Sequence, residues 1–101
     1  MPQPQIHIPL RQIEAFCRRW RIKEFSLFGS VLREDFRPDS DIDVLVSFAP
    51  DGGITFDNRV EMLDELAEIF GREVDLVEKS GLRNPFRRRE ILHNREVIYA
   101  A

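Results

Sequence analysis

A chain of 101 residues in which 43% of the side chains are hydrophobic and 33% are charged has the composition of a globular domain, which excludes the disordered and membrane-embedded classes. The formal net charge of −3 at pH 7 argues against a general nucleic-acid coat, and a single cysteine excludes an intrachain disulfide and a four-cysteine zinc site. We expect one domain over 1–101 and a cytoplasmic location, because the chain opens without a basic segment or a long apolar stretch.

The first predicted element is an amphipathic helix that starts near Pro9. Residues 1–8 before it are interrupted by prolines, so we expect them to be loose or extended. Apolar side chains then recur at the i, i+3, i+4 and i+7 spacing of one helix face: Ile13, Phe16, Cys17 and Trp20. Since Cys17 lies on this face, we interpret it as part of the core rather than as a reactive thiol.

A short apolar strand over 24–28 follows the helix and ends at Gly29-Ser30. Glycine lets a backbone approach a ligand closely, and serine offers a hydroxyl group. We predict a short helix over 31–36, and the free N–H groups at the start of such a helix would point toward an anion. Gly29 and Ser30 are therefore candidates for binding phosphate.

Asp41 and Asp43 belong to the next predicted strand, in which successive side chains alternate between two faces. Side chains two residues apart in a strand lie on the same face, so the two carboxylates would be neighbours. Such neighbours repel each other and raise each other's pKa unless a cation lies between them. The pair therefore indicates a divalent metal site.

The following segment, 49–57, contains the clearest loop, which we interpret as a connector rather than as a cover over a nucleotide. A helix over 58–70 comes next, and Gly71 is its predicted C-terminal cap. The acidic residues of this helix are expected to form a solvated face: Glu61, Asp64, Glu65 and Glu68. The helix can return the chain to a strand over 73–77 beside the carboxylate strand.

Asp75 in that strand is the third carboxylate of the predicted site. If the two strands are neighbours, Asp75 converges with Asp41 and Asp43. Hard divalent ions such as Mg²⁺ prefer carboxylate, water and phosphate oxygens. A site of two such ions activates an attacking hydroxyl group and neutralises a leaving pyrophosphate. The pattern therefore favours a nucleotide and metal site.

The last quarter of the chain is basic, with a predicted helix over 84–92 and a short final strand over 97–99. Three interpretations of its arginines remain open: a solvated helix face, a contact with phosphate, and a docking surface for an acidic partner. The arginines concerned are Arg83, Arg87, Arg88, Arg89 and Arg95. His7 and His93 have no companion histidine at a ligand spacing, so zinc is not expected.

The residues of the predicted site resemble a known signature. The motif of the polymerase beta-type nucleotidyltransferase superfamily is similar to four features of this chain: Gly29-Ser30, a ten-residue spacer, Asp41-x-Asp43, and Asp75 in a later strand. Arg33 and the run 37–43 further resemble the minimal nucleotidyltransferases, which are the antitoxin partners of HEPN-type toxins. The combined motif is far more specific than either half alone.

The resemblance implies an α/β (α+β) nucleotidyltransferase fold, with a small mixed β-sheet and helices packed mainly on one face, in a strand order that it does not fix. It also implies that Asp41 and Asp43 hold a nucleotide-bound Mg²⁺ ion and help to share a second. Asp75 would complete the second ion and favour the deprotonated acceptor hydroxyl. By the same resemblance, the residues that bind the phosphates are Gly29, Ser30 and Arg33.

The implied activity is transfer of AMP from ATP to a tyrosine of a cognate HEPN RNase toxin, which would silence the toxin in a hetero-oligomeric complex. One alternative is an antitoxin that neutralises its partner by binding alone, although three converging acids would then have no purpose. Another is the nucleotide-binding subunit of a two-component small-molecule nucleotidyltransferase. Neither nucleic acid nor a membrane is an expected direct partner.

Overall fold

The structure, a computed structural model, describes residues 6–34 and 36–101, without the side chain of Phe56, and this part of the chain forms two short 3₁₀ segments, three α-helices and four strands. The α-helices and strands carry the labels below. In chain order they are α1 (Leu10–Trp20), β1 (Ile22–Phe28), β2 (Ile42–Phe48), α2 (Phe56–Phe70), β3 (Val74–Glu78), α3 (Pro85–His93) and β4 (Glu96–Ala100). Of the segment 1–8 that is expected to be loose, residues 1–5 lie outside the described residues. No helix within the described ranges is both long enough and apolar enough to cross a bilayer.

The ends of α2 and α3 follow from local side-chain chemistry. Thr55 Oγ1 accepts a hydrogen bond from the Asn58 N–H at 3.2 Å, and α2 begins two residues earlier than predicted. Gly71 ends α2 in the left-handed conformation (φ 70°), which confirms its role as the C-terminal cap. Asn84 caps α3 by accepting hydrogen bonds from two backbone N–H groups of the first turn, and Pro85 opens that helix.

The strands form one mixed sheet in the order β3-β2-β1-β4. β1 is antiparallel to both β2 and β4, whereas β2 and β3 are parallel. A parallel pair needs a crossover connection, and α2 supplies it by returning the chain from the end of β2 to the start of β3. The predicted mixed sheet is confirmed, and the starts of the two parallel strands lie at the same edge.

The sheet separates two apolar clusters. Residues of α1 and α2 pack on one face, where the larger cluster consists of Ile13, Phe16, Cys17, Ile22, Phe25, Leu27, Val31, Ile42, Val44, Val46, Met62, Leu66 and Leu76. Successive strand residues face opposite ways, so Leu45 points away from that cluster. With α3 it forms a second, smaller cluster: Phe28, Leu45, Leu82 and Ile91. Two of the three described helices thus share one face, as predicted, and α3 alone covers the other.

The predicted helix over 31–36 is wrong. The chain forms a 3₁₀ turn at Gly29–Leu32, and Arg33 is already extended (φ −114°, ψ 156°). Val31 is fully buried in the larger cluster, which anchors the turn to the sheet and leaves room only for a short 3₁₀ segment. Asp35, within the predicted range, lies outside the described residues. The turn therefore does not offer the N-terminus of a regular α-helix to an anion.

Part of the acidic face of α2 contacts α1. Arg19 forms ion pairs with Glu61 at 2.5 Å and with Glu65 at 3.1 Å, and Trp20 Nε1 donates a hydrogen bond to Glu65 at 3.0 Å. The prediction of a solvated face is therefore wrong for Glu65, because α1 covers it, whereas Asp64 and Glu68 are exposed. These contacts join the two helices at the rim of the larger cluster.

Candidate active site

Gly29 and Asp43 are the structural centre of the predicted site. Phe28, the last residue of β1, is the register partner of Asp43 in β2, so the turn that follows β1 begins beside this carboxylate. Gly29 has a φ of +75°, and a Cβ atom at this position would clash with Asp43 Oδ2. Glycine is therefore required here by the approach of Asp43 to the turn.

Asp75 lies directly beside Asp43. The two residues are register partners in the parallel pair of β2 and β3, and partners in a sheet present their side chains on the same face. Asp41 is exposed and precedes β2 by one residue. The structure thus places Asp43 and Asp75 side by side, and Asp41 lies just before the start of β2.

Burial and the neighbouring charges both act on the pKa of Asp43. Burial raises the pKa of the Asp43 carboxyl, and the negative charges of Asp75 and Asp41 raise it further. Arg33 and Arg87 act in the opposite direction, since a nearby positive charge lowers the pKa of a carboxyl group. Five charged side chains, three acidic and two basic, therefore interact at this edge of the sheet.

The acidic residues suit a hard divalent cation. All three carboxylates supply oxygen ligands, which Mg²⁺ prefers, and a cation would offset the repulsion that raises the pKa of Asp43. Among residues 6–34 and 36–101, however, no three His, Cys, Asp or Glu side chains already form a group that could hold a metal ion. The residues fit the ion chemically, but the side chains would have to close on it.

A cavity of about 430 Å³ opens between the Gly29 turn and α3. One wall comes from the end of β1 and the turn, and the other from a single face of α3. The lining residues are Phe28, Gly29, Leu32, Arg33, Arg87, Glu90, Ile91 and Asn94. Two predicted phosphate-binding residues, Gly29 and Arg33, line it, whereas Ser30 does not. The cavity lies on the same face of the sheet as Asp43 and has space for part of a nucleotide.

The contribution of α3 to this cavity could not be placed from the sequence. Arg87 had three open interpretations, and Glu90 and Asn94 carried none. Their spacing with Ile91, at i, i+3, i+4 and i+7, is the one signal that could have grouped them on a helix face. The spacing does not indicate which part of the sheet this face of α3 packs against.

Cys17 has no part in the site. The thiol is fully buried in the larger cluster, and burial raises its pKa to about 12, with a further contribution from the charge of Glu14. A thiol in this setting is a poor nucleophile because the thiolate is scarcely populated at neutral pH. The interpretation of Cys17 as core packing agrees with its position, and His7 and His93 are exposed.

Comparisons with known proteins identify the family and the fold. The family model described as "Nucleotidyltransferase domain" matches residues 10–98. Protein adenylyltransferase MntA of Thermococcus cleftensis is 33% identical over 81 residues, which cover 80% of this chain and 77% of that protein. A crystal structure of a toxin–antitoxin with AMP-PNP shares the fold, with a TM-score of 0.75, 21% identity, and coverage of 93% of this chain and 75% of that one.

A second solved structure also shares the fold. It contains the tri-AMPylated Shewanella oneidensis HEPN toxin in complex with MNT antitoxin, and the superposition has a TM-score of 0.66 at 21% identity. The match covers 91% of this chain and 70% of that one. At this identity the likeness establishes the architecture alone.

Proposed function

Since the chain belongs to the nucleotidyltransferase domain family, we propose that it is an antitoxin that transfers AMP from ATP to a tyrosine of a cognate HEPN RNase toxin. Modification of the tyrosine would neutralise the toxin. The relative MntA is named a protein adenylyltransferase, and a structure with the same fold contains an AMPylated HEPN toxin. The proposal includes a single domain over 1–101, two Mg²⁺ ions and a cytoplasmic location, where ATP and the RNA targets of such a toxin occur together.

The observation that carries the proposal is the approach of Asp43 to Gly29, with Asp75 as its neighbour. A carboxylate against a glycine turn, beside a cavity with two arginines, brings metal ligands and phosphate-binding groups to one place. A protein that acted only by binding would gain nothing from this arrangement, because burial and the neighbouring acids make the charge on Asp43 unfavourable. An unfavourable cluster of this kind is typical of a catalytic site.

The residues of the chain would act mainly by positioning and by charge. The phosphates of ATP would lie between the Gly29 turn and α3, where Arg33 and Arg87 add positive charge. Asp41, Asp43 and Asp75 would hold Mg²⁺, which when bound neutralises the charge of the leaving pyrophosphate and favours a deprotonated acceptor hydroxyl. The acceptor oxygen would bond to the α-phosphorus, the bond to pyrophosphate would break, and the phenolic proton would leave to solvent.

Intact-mass spectrometry of the co-purified partner, after incubation with this protein, ATP and Mg²⁺, tests the proposal. The negative control is the double variant Asp41→Asn with Asp43→Asn. The matched control is Asp39→Asn, which changes an exposed acid of the same approach to β2 that no part of the site uses. Mass added in AMP-sized steps by the wild type and Asp39→Asn alone would support the proposal.

Other outcomes distinguish the alternatives. A stable, neutralised partner without added mass would favour an antitoxin that acts by binding. A partner that stays unmodified while a small molecule in the reaction gains AMP would favour the two-component enzyme. Retained transfer in the Asp41 and Asp43 double variant would contradict the site itself.

A further inference from the structure

The face of α3 that lines the cavity has an ordered sequence of side chains. Arg87, Glu90 and Asn94 follow one another along the helix, with Ile91 between them. At a rise of 1.5 Å per residue, the distance along the axis from Arg87 to Asn94 is roughly 10 Å. The wall formed by α3 is therefore long enough to contact more than the phosphates of a nucleotide.

The cavity changes in polarity along this wall. Its cationic end contains Arg33 and Arg87, whose positive charges act on Asp43 and oppose the overall rise in the pKa of its carboxyl. Its floor is apolar, with Phe28 and Ile91 each only 8% exposed in the smaller core cluster. Glu90 lies about one helical turn beyond Arg87, away from the cationic end. This arrangement suits the phosphates of a nucleotide near the arginines and its ribose near Glu90, above an apolar floor.

Two other arginines near α3 have structural partners. Arg88 donates a hydrogen bond to the Lys79 carbonyl at 3.1 Å, and Arg95 forms an ion pair with Glu24. The Arg87 guanidinium and the Glu90 carboxylate, in contrast, form neither a hydrogen bond nor an ion pair with any residue of the described ranges. Arg83 and Arg89 are exposed and do not line the cavity, so among the basic residues named from the sequence Arg87 is the one that faces it, and Glu90 is the acid that lines the same wall.

We propose that α3 forms the nucleoside-binding wall of the site, with Arg87 contacting the phosphates and Glu90 accepting hydrogen bonds from the ribose hydroxyls. A carboxylate is a pure acceptor with two oxygens, and the 2′ and 3′ hydroxyls of ribose are adjacent donors. The protein would then select ribonucleotides over deoxyribonucleotides. This inference rests on the proposed function, since it assigns the substrate contacts of the same site.

Equilibrium binding of ATP, 2′-deoxy-ATP and 3′-deoxy-ATP, measured by isothermal titration calorimetry with Mg²⁺, tests the inference. The wild type should bind ATP roughly 10-fold more tightly than either deoxynucleotide, because each loses a hydrogen bond to a charged group. Glu90→Ala should remove this preference, because it should lower the affinity for ATP and leave the affinity for the two deoxynucleotides nearly unchanged. Arg87→Gln should weaken all three nucleotides and leave their ratios unchanged.

Arg89→Ala is the matched control, since Arg89 is an exposed residue of α3 that does not line the cavity. It should retain both the affinity and the preference of the wild type. Glu90→Gln keeps the size of the side chain and one acceptor oxygen. An intermediate preference for ATP in this variant would show that the ribose hydroxyls bind the carboxylate of Glu90. Circular dichroism on each variant checks that the total helix content is that of the wild type.

The outcomes separate this inference from the proposed function. If the wild type binds ATP but does not distinguish the deoxynucleotides, or if Glu90→Ala keeps the full preference, the role of Glu90 is wrong while AMP transfer stands on its own test. If the wild type binds no nucleotide in the presence of Mg²⁺, the proposed function itself is overturned.

Discussion

Asp75 is the register partner of Asp43 across the parallel strands β2 and β3, so two carboxylates of like charge lie side by side in the folded protein. Asp43 is partly buried, and its pKa is raised by that burial and then by Asp75 and Asp41. The unfolded chain releases this repulsion. The ionised pair therefore lowers the stability of the metal-free protein, although the proposed binding of a cation needs both carboxylates ionised.

Asp43→Asn should stabilise the metal-free protein at pH 7.5. The folded-state pKa of Asp43 is raised, so its ionised form opposes folding above that pKa, and the penalty disappears as the pH falls through it. The gain in melting temperature should therefore be smaller at pH 4 than at pH 7.5. Thermal unfolding at both pH values measures it, with Asp39→Asn as the control that should show no such gain.

Addition of Mg²⁺ should reverse the order of stability. A ligand that binds only the folded state adds about 2.7 kcal/mol at 100 times its dissociation constant, and Asp43→Asn should lose most of that gain. The measurement is the same unfolding experiment with and without MgCl₂. Equal stabilisation of the wild type and Asp43→Asn by Mg²⁺ would show that the ion binds elsewhere.

Gly29→Ala should reduce both stability and AMP transfer. A left-handed conformation costs an L-residue about 1–2 kcal/mol, and the new Cβ would also displace the Asp43 carboxylate. A displacement of about 1 Å at a catalytic group can reduce a rate roughly 100-fold. Urea unfolding and the rate of AMP transfer to the partner measure the two effects.

Gly71→Ala separates these effects, because Gly71 has a similar φ of +70° but no neighbouring atom within 4 Å of a built Cβ. It should lose a similar amount of stability and retain transfer. A loss of transfer in Gly71→Ala as large as that in Gly29→Ala would mean that general destabilisation, rather than the position of Asp43, explains the defect.

Cys17 should react with iodoacetamide only after unfolding. Its thiol is fully buried, and its pKa is about 12, so the reactive thiolate is scarcely populated at pH 8. Mass spectrometry should detect no alkylation of the native protein over a period in which the protein in guanidinium chloride is fully modified. Rapid labelling of the native protein would contradict the position of Cys17 in the larger cluster.

Arg88→Gln should destabilise the protein by about 1–2 kcal/mol, because it removes a charged donor from the Lys79 carbonyl. Its ATP affinity should remain that of the wild type, since Arg88 does not line the cavity. Urea unfolding and calorimetry measure the two quantities. A large loss of ATP affinity in this variant would mean that the phosphates lie nearer to Arg88 than to Arg87.

The periodic parts of the sequence predicted the fold well. The spacing from Ile13 to Trp20 identified α1, alternation identified β2, and Gly71 fixed the end of α2. The helix predicted after Ser30 failed because the burial of Val31 is a tertiary contact that no local pattern contains. The strand order could not be predicted for the same reason, since it depends on which strand edges pair rather than on the sequence of any one segment.

The site was only partly predictable for a related reason. The proximity of Asp43 and Asp75 could be predicted because the strand period places side chains on a known face, and the assumed pairing of the two strands then brings these two residues together. Glu90 could not be found in this way, because its role depends on where α3 crosses the sheet. The clash that makes Gly29 necessary likewise involves a residue 14 positions away, which spacing alone does not reveal.

Ile91 belongs both to the smaller core cluster and to the lining of the cavity. One methyl group removed from this position would loosen the attachment of α3 and widen the space for the nucleotide in the same step. We therefore expect bound ATP to slow the local opening of α3, so that hydrogen exchange of the amides in this helix reports whether the cavity is occupied.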